Sequence, residues 1–340
     1  MDITSIVELT EGCNLGCTFC LRPSFSSPVM KAETLEKVIS HIIDYCDRRV
    51  DFVWHGGEPL LAGLDFFKQI PRIQNECNRK GIKIINNVQT NAVKLNADYS
   101  DFFKREGFGV GTSIQGTKSI HDSSRIFRNG GGTYERVVRN IDLLEQKPTI
   151  IVVLTTELLG KEAEVYHSIK KYSRGIRVSE YFPGGMNPRS RSLDADGQIV
   201  DSLMPSPKQF GESMIRFYEV WKNDVSPIEL KPITEIIRSF VLGRSESCLY
   251  SQEACALSVV GVKYSGEFYT CIRGSPNSEF SLGNVENKPL ANLEKKAKLS
   301  KHNRVNSLLN NSCGDCEYWD YCNGGCPLES WKLHDNLSHK

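Results

Sequence analysis

The chain has 340 residues, enough for a large core plus a second small domain, and its 42 Lys and Arg are nearly balanced by 41 Asp and Glu. No basic run or tail stands out, so neither nucleic acid nor an anionic membrane has an electrostatic claim as partner. No apolar run reaches the ~18 residues of a membrane span and no signal-peptide pattern opens the chain, so a cytoplasmic protein is expected.

From residue 1 to about 225, strand-like and helix-like patterns alternate. Strands are predicted at Ile3–Leu9, Asp51–Trp54, Ile82–Thr90, Val110–Ile114, Thr149–Thr155 and Ile176–Phe182, followed by helical patterns near 31–47, 64–80, 98–106, 133–146, 161–173 and 207–223. Six βα units in sequence imply a parallel sheet with helices outside, either an open doubly wound sheet or a partial barrel. In both, the active site belongs at the C-terminal ends of the strands. A linker helix is expected over 226–247, and a cysteine-rich domain over 248–340.

Twelve cysteines in a reducing compartment argue for metal ligation before disulfides. Cys46 and Cys77 are the exceptions. Each continues the apolar stripe of an amphipathic helix and reads as a buried packing residue. Three others, Cys13, Cys17 and Cys20, form a C-x3-C-x2-C run directly after the first strand, with Phe19 just before the last. Three thiolates can hold three irons of a four-iron cluster and leave the fourth open to a ligand; a zinc loop or three core cysteines are the plainer alternatives.

The loops after the next strands carry further motifs. His55-Gly56-Gly57-Glu58-Pro59 follows the second, Gln89-Thr90-Asn91 the third, and Ser113-Ile114-Gln115-Gly116 with His121-Asp122 and Arg125 the fourth. Asn129-Gly130-Gly131-Gly132-Thr133 lacks the Lys and GxGxxG spacing of a phosphate loop. Thr133 is read as the N-cap of the following helix. After the sixth strand, the polar stretch from Tyr181 to about Pro207 is a candidate substrate-binding loop or lid. Near the C-terminus come Cys248, Cys255, Gly266-x4-Cys271 and Cys313-x2-Cys316-x5-Cys322-x3-Cys326, for which a zinc ribbon is the plainer alternative.

In this order the motifs resemble the radical S-adenosylmethionine (SAM) superfamily with a C-terminal SPASM domain, as in anaerobic sulfatase maturases and maturases of ribosomally made peptides. That resemblance implies an α/β fold, a partial (β/α)6 barrel with a small iron–sulfur domain. It implies a SAM-binding [4Fe–4S] cluster on Cys13, Cys17 and Cys20, and SAM contacts from Phe19, from Gly56, Gly57, Glu58 and Pro59 (the SAM amino group), and from Asn91, Ser113 and Arg125 (ribose or carboxylate). Cys248, Cys255, Cys271 and Cys326 would enclose one auxiliary cluster, and Cys313, Cys316 and Cys322 three corners of a second. No cysteine follows Cys326 in this sequence, so the last corner is expected to be open, to be filled by Asp320, His334, Asp335 or His339, or to belong to no cluster at all. The family pattern usually has Asp where Gln115 stands.

The resemblance implies reductive cleavage of SAM to a 5′-deoxyadenosyl radical and hydrogen abstraction from a peptide or protein side chain, with an external flavodoxin- or ferredoxin-type electron donor. Sulfatase maturases keep an Asp, their general base, directly after the cysteine of G-x4-C. Ile272 stands there. Oxidative cross-linking of a ribosomal peptide is therefore expected over formylglycine formation, with the catalytic base unassigned. The chain opens on the first strand, so leader-peptide recognition is expected from a separate protein or from loops of the barrel. A non-catalytic iron–sulfur or zinc scaffold is the reading from another class, and the GGEP motif counts against it.

Overall fold

The structure is a computed structural model that describes residues 2–20, 26–182, 191–193, 199–244, 258–275, 277–287, 289–293, 304–311, 313–328 and 330. It divides into two compact units: one of residues 1–10, 28–87 and 235–340, the other of 11–27 and 88–234.

In the first unit, strands β1 (Asp2–Glu8) and β2 (Arg49–His55) pair in parallel over their full length, from Asp2 opposite Arg49 to Glu8 opposite His55. Strand alternation puts Val50, Phe52 and Trp54 on one buried face, where the Phe52 and Trp54 rings stack with centroids 5.2 Å apart. Helices α1 (Ala32–Tyr45) and α2 (Leu64–Cys77) cross over between strands. Leu35, Val38, Ile39, Ile42 and Ile43 form the core stripe of α1, each fully buried and worth about 1.5–3 kcal/mol. Strand β3 (Lys83–Gln89) follows and runs across the boundary between the units. Its Asn86 accepts from the Trp54 indole at 2.9 Å and exchanges two bonds with Gln74, so this buried polar group is satisfied.

The second unit continues with β4 (Gly109–Ser113), β5 (Thr149–Leu154) and β6 (Gly175–Glu180), in parallel pairing. Helix α3 (Ala97–Arg105) precedes β4, α4 (Lys118–Ser124) and α5 (Tyr134–Ile141) lie between β4 and β5, and α6 (Glu162–Lys170) between β5 and β6. All six predicted strands and their helices are present, with ends moved by one to a few residues, more at the C-terminal end of α5. Helix α4 was not foreseen: seven residues with Ile120 as the one apolar member present no stripe to read. Beyond β6, Arg191–Leu193 (β7) and Ile199–Asp201 (β8) pair as an antiparallel ribbon, and α7 (Pro207–Lys222) opens with a capping box between Ser206 and Gln209. Part of the stretch expected to be linker is strand instead: β9 (Glu229–Lys231) pairs in parallel with β6 before α8 (Ile233–Leu242). The remainder of the lid candidate, 183–190 and 194–198, lies outside the described residues.

The C-terminal strands belong to the first unit. Strand β10 (Val259–Val262) pairs in parallel with β1, Thr4 opposite Val259, and β11 (Glu267–Tyr269) and β12 (Ser281–Asn284) add antiparallel strands beyond it. No helix among the described residues is long and apolar enough to cross a membrane.

Candidate active site

The cysteine loop is built into the second unit by a strand-like pairing with residues 124–127. Gly16 N–H donates to Ile126 O and Thr18 N–H to Ser124 O, both at 2.9 Å, and Leu15 bridges Phe127. In this antiparallel register Cys17 and Arg125 are directly opposite, as a pair without mutual backbone bonds, the class in which facing side chains come closest. Arg128 clamps the loop's start by donating to Cys13 O, and Leu15 N–H points at the Cys13 sulfur at 3.4 Å.

Arg125 is buried, its guanidinium 4.9 Å from the centre of the Phe19 ring, with Cys17, Cys20 and Cys13 near enough to feel its charge. Burial pushes the Cys17 thiol pKa up, and the Arg125 charge opposes that shift. Phe19 packs with Tyr181 and Leu203 in a small apolar cluster that Cys17 and Val153 flank. Tyr181 donates to Asp201 at 2.5 Å, and Asp201 also accepts from Leu203 N–H, so this pair pins the segment after β8 beside Phe19.

Asn91 turns toward the same loop, donating to Asn14 Oδ1 at 2.8 Å with Cys13 Sγ 3.7 Å away. It is aimed by Ala92, whose φ of 59° is left-handed backbone in a residue that rarely adopts it. Thr90 Oγ1 accepts from Ala92 N–H, Asn91 Oδ1 from Val93 N–H, and the Asn140 amide holds the Ala92 carbonyl at 2.8 Å. Ser113 ends β4, half-buried. Two residues on, the buried Gln115 amide accepts from Val153 N–H and donates to Val153 O, a two-way clamp on β5 that the one-way carboxylate of Asp cannot make.

His121 and Thr133 support Arg125 from behind. Gln115 N–H donates to His121 Nδ1 at 3.3 Å, His121 Nε2–H to Thr133 Oγ1 at 2.9 Å, and the Thr133 hydroxyl to Arg125 O at 2.7 Å. Only the neutral Nε2–H tautomer satisfies all three. Burial, reinforced by the Arg125 charge, pushes the His121 pKa down to about 3. Thr133 stands at the N-cap position predicted for it, but its side chain makes no capping bond. The Asp122 carboxylate satisfies the first helical N–H instead, accepting from Tyr134 N–H at 2.8 Å.

In the first unit, the GGEP turn packs on the residue that leads into the cysteine loop. Gly57 N–H donates to Thr10 O at 2.8 Å, and at Gly56, with φ +130°, a Cβ would lie 2.2 Å from that same oxygen. Glu58 is fully buried and N-caps the short helix Pro59–Ala62 through Leu60 N–H at 2.9 Å. Its carboxylate therefore shapes the turn as well as carrying charge.

Of the C-terminal cysteines, Cys248 and Cys255 lie outside the described residues, as do His334, Asp335 and His339. Cys271 follows β11, half-buried, and Gly266 makes the tight turn before it. Ile272 is buried, its backbone against Gly261 of β10. Cys313 is buried, Cys316 exposed, and Cys322 and Cys326 are half-buried around the turn Trp319–Cys322, on which Asp320 is exposed. Buried Arg304 fastens this loop by donating to Gly324 O. Of the cysteines read as packing residues, Cys46 is fully buried just past α1, whereas Cys77 ends α2 half-buried.

The three thiols of this loop suit an iron–sulfur cluster by their chemistry. Each thiolate of such a cluster binds its own iron, and three leave one iron open. Arg125 Nε is buried with no partner, a donor left for a bound group. The Radical SAM superfamily profile matches residues 7–169. The chain carries a radical SAM domain over those residues and is an enzyme, and the radical SAM family uses SAM and [4Fe–4S] clusters.

Within that class, it is similar to the serine-type anaerobic sulfatase-maturating enzyme of Klebsiella pneumoniae, at 28% identity over 326 residues, 93% of this chain and 79% of that one. Its fold matches native anSMEcpe with bound AdoMet and Cp18Cys peptide, with TM-score 0.83 and 24% identity over 99% of this chain and 94% of the other. It also matches Streptococcus suis SuiB bound to precursor peptide SuiA, with TM-score 0.63 and 14% identity over 100% and 74%. The α/β fold with its mixed, mostly parallel sheet is therefore the one expected, and a partial barrel accords with it.

Proposed function

We propose that this enzyme modifies a peptide or protein side chain by radical oxidation, and that its product is a cross-link. The gathering of three thiols about Arg125 carries the first part. Cys13, Cys17 and Cys20 would hold the SAM-binding cluster, with Phe19, Gly56, Gly57, Glu58, Pro59, Asn91, Ser113 and Arg125 around SAM. When bound, the cluster supplies the electron that cleaves SAM to the 5′-deoxyadenosyl radical, which abstracts a substrate hydrogen. The chain's own residues orient the loop: Arg128 and the 124–127 pairing fix its path, and Asn91 is locked by the Ala92 turn.

Cys271, Cys313, Cys316, Cys322 and Cys326, with Cys248 and Cys255, are read as ligands of auxiliary clusters that take the electron left on the substrate. Buried Ile272 supports cross-linking, because it offers no proton acceptor where the sulfatase maturases keep Asp. Similarity to the Klebsiella enzyme favours the second reading, formylglycine formation. We further assign a flavodoxin- or ferredoxin-type donor and a cytoplasmic location.

Anaerobic reconstitution with iron and sulfide, then SAM and dithionite, should release 5′-deoxyadenosine. Cluster assembly without that release refutes the enzyme's assigned chemistry. Conversion of a Ser- or Cys-containing sulfatase peptide to the aldehyde would replace cross-linking by the second reading.

A further inference from the structure

We propose that the basic surface beside the cysteine loop, built from Lys94, Arg128, Arg136 and Arg139, is the docking face of the electron donor, an acidic one-electron carrier protein. The proposal rests on the cluster assignment above and names where the partner of that site binds.

Two chains of contact set helix α5 against the cysteine loop. At one end, the Arg136 guanidinium lies 5.5 Å from the centre of the Phe127 ring, and Phe127 bridges Leu15, midway between Cys13 and Cys17. At the other, the Asn140 amide holds the Ala92 and Val93 carbonyls at 2.8 and 3.1 Å, in the turn that aims Asn91 at Asn14. Arg136 and Arg139 are three residues apart and therefore neighbours on the helix surface, and both are exposed. Lys94 is exposed directly after Val93, and exposed Arg128 donates to the carbonyl of half-buried Cys13 itself.

The charges on this surface are not spent on one another. Among the described residues Lys94, Arg136 and Arg139 form no ion pair, and Glu135, the acid beside Arg136, is taken by Lys118 at 3.2 Å. Lys118 also holds Asp122, and exposed Asp142 follows Arg139 by three residues, so in this group five cations face three acids. The chain as a whole balances 42 Lys and Arg against 41 Asp and Glu, so the excess is local. A positive patch of this kind steers an acidic partner and fixes its orientation. An electron crosses protein only over short distances, so a carrier must dock where a cluster ligand lies near solvent, which Cys13 does. The transfer makes and breaks no bond: a reduced flavin passes one electron to the cluster and becomes a semiquinone.

The test compares the reconstituted full chain with Arg136→Glu/Arg139→Glu, using a flavodoxin of net negative charge as the probe. Calorimetry with oxidised flavodoxin should show affinity at least about tenfold weaker in the variant, and wild-type affinity should fall at least about threefold from 50 to 200 mM salt. Release of 5′-deoxyadenosine driven by subsaturating reduced flavodoxin should drop about tenfold, while release driven by dithionite, which needs no protein interface, stays within about twofold. Equal flavodoxin affinities, or equal losses with both reductants, overturn the proposal. If losing the Arg136 contact with Phe127 impairs iron assembly, Lys94→Glu/Arg139→Glu decides by the same two readings. A wild-type chain that binds flavodoxin but releases no 5′-deoxyadenosine with either reductant defeats the cluster assignment, and this inference with it.

Discussion

Gly56→Ala tests how the GGEP turn is joined to the start of the cysteine loop. The perturbation has two parts. At φ +130° an L-residue is strained by about 1–3 kcal/mol. Its new Cβ would also stand 2.2 Å from Thr10 O and 3.3 Å from Thr10 C and N, all backbone atoms that no rotamer change can move aside. Relieving that overlap shifts main chain at about 1–3 kcal/mol and breaks the 2.8 Å bond from Gly57 N–H to Thr10 O, for about 1 kcal/mol more. The sum, about 3–7 kcal/mol, is a large share of the total stability of about 5–15 kcal/mol expected for such a chain. Gly63→Ala is the control. Gly63 has φ +88° but nothing within 4 Å of its Cβ position, so it carries the backbone strain alone. Anaerobic urea unfolding should give a loss at least about 2 kcal/mol greater for Gly56→Ala than for Gly63→Ala, with weakened SAM binding only in the former. Equal losses in the two variants would show that the approach to Thr10 is not what Gly56 is for.

Replacing Cys13, Cys17 and Cys20 together by Ala should abolish 5′-deoxyadenosine release while iron remains on the C-terminal cysteines, since the two sets belong to different units; retained release disproves the triad's role. Glu58→Gln keeps an oxygen to accept from Leu60 N–H, so folding and iron content should hold while SAM affinity drops about tenfold from the lost charge; equal affinities would reduce Glu58 to a helix cap. Cys316→Ala should lower bound iron if the exposed Cys316 ligates a second auxiliary cluster, and unchanged iron would show that this cluster does not exist. For His121, the unfolded chain takes up a proton below pH 6.5 and the native one not until about pH 3. Stability should therefore fall as pH drops through that window, by up to about 1.4 kcal/mol per pH unit, and the difference should vanish in His121→Gln. Parallel pH profiles of the two proteins, read from urea midpoints, would refute the buried neutral histidine.

The repeat of strand and helix was readable because period and length agree: β5 is TIIVVL and α1 repeats its apolar residues at three and four. What escaped was short. Helix α4 and strand β9 span seven and three residues, too few for a period to declare itself, and β9 forms because β6 offers an edge at Gly175–Arg177. Long-range pairing of β10 with β1 is likewise invisible to local pattern, since a four-residue apolar run names no partner.

At the site, residue types were legible and their duties less so. Three thiols, a GGEP turn and an Arg after HD advertise themselves by chemistry and spacing, but a hydroxyl's target depends on which surfaces fold together. Thr133 has the signature of a helix cap, yet the Asp122 carboxylate reaches Tyr134 N–H first, which frees the hydroxyl to hold Arg125 O and to accept from His121. Ala92 is the opposite case. Nothing about alanine announces a left-handed backbone; the conformation is imposed by Thr90, Asn91 and Asn140, and its effect is to turn the Asn91 amide onto Asn14 and Cys13. Both residues act through a neighbour of a cysteine and not on the cysteine itself. The sequence therefore names the candidate ligands while the fold decides how tightly they are aimed.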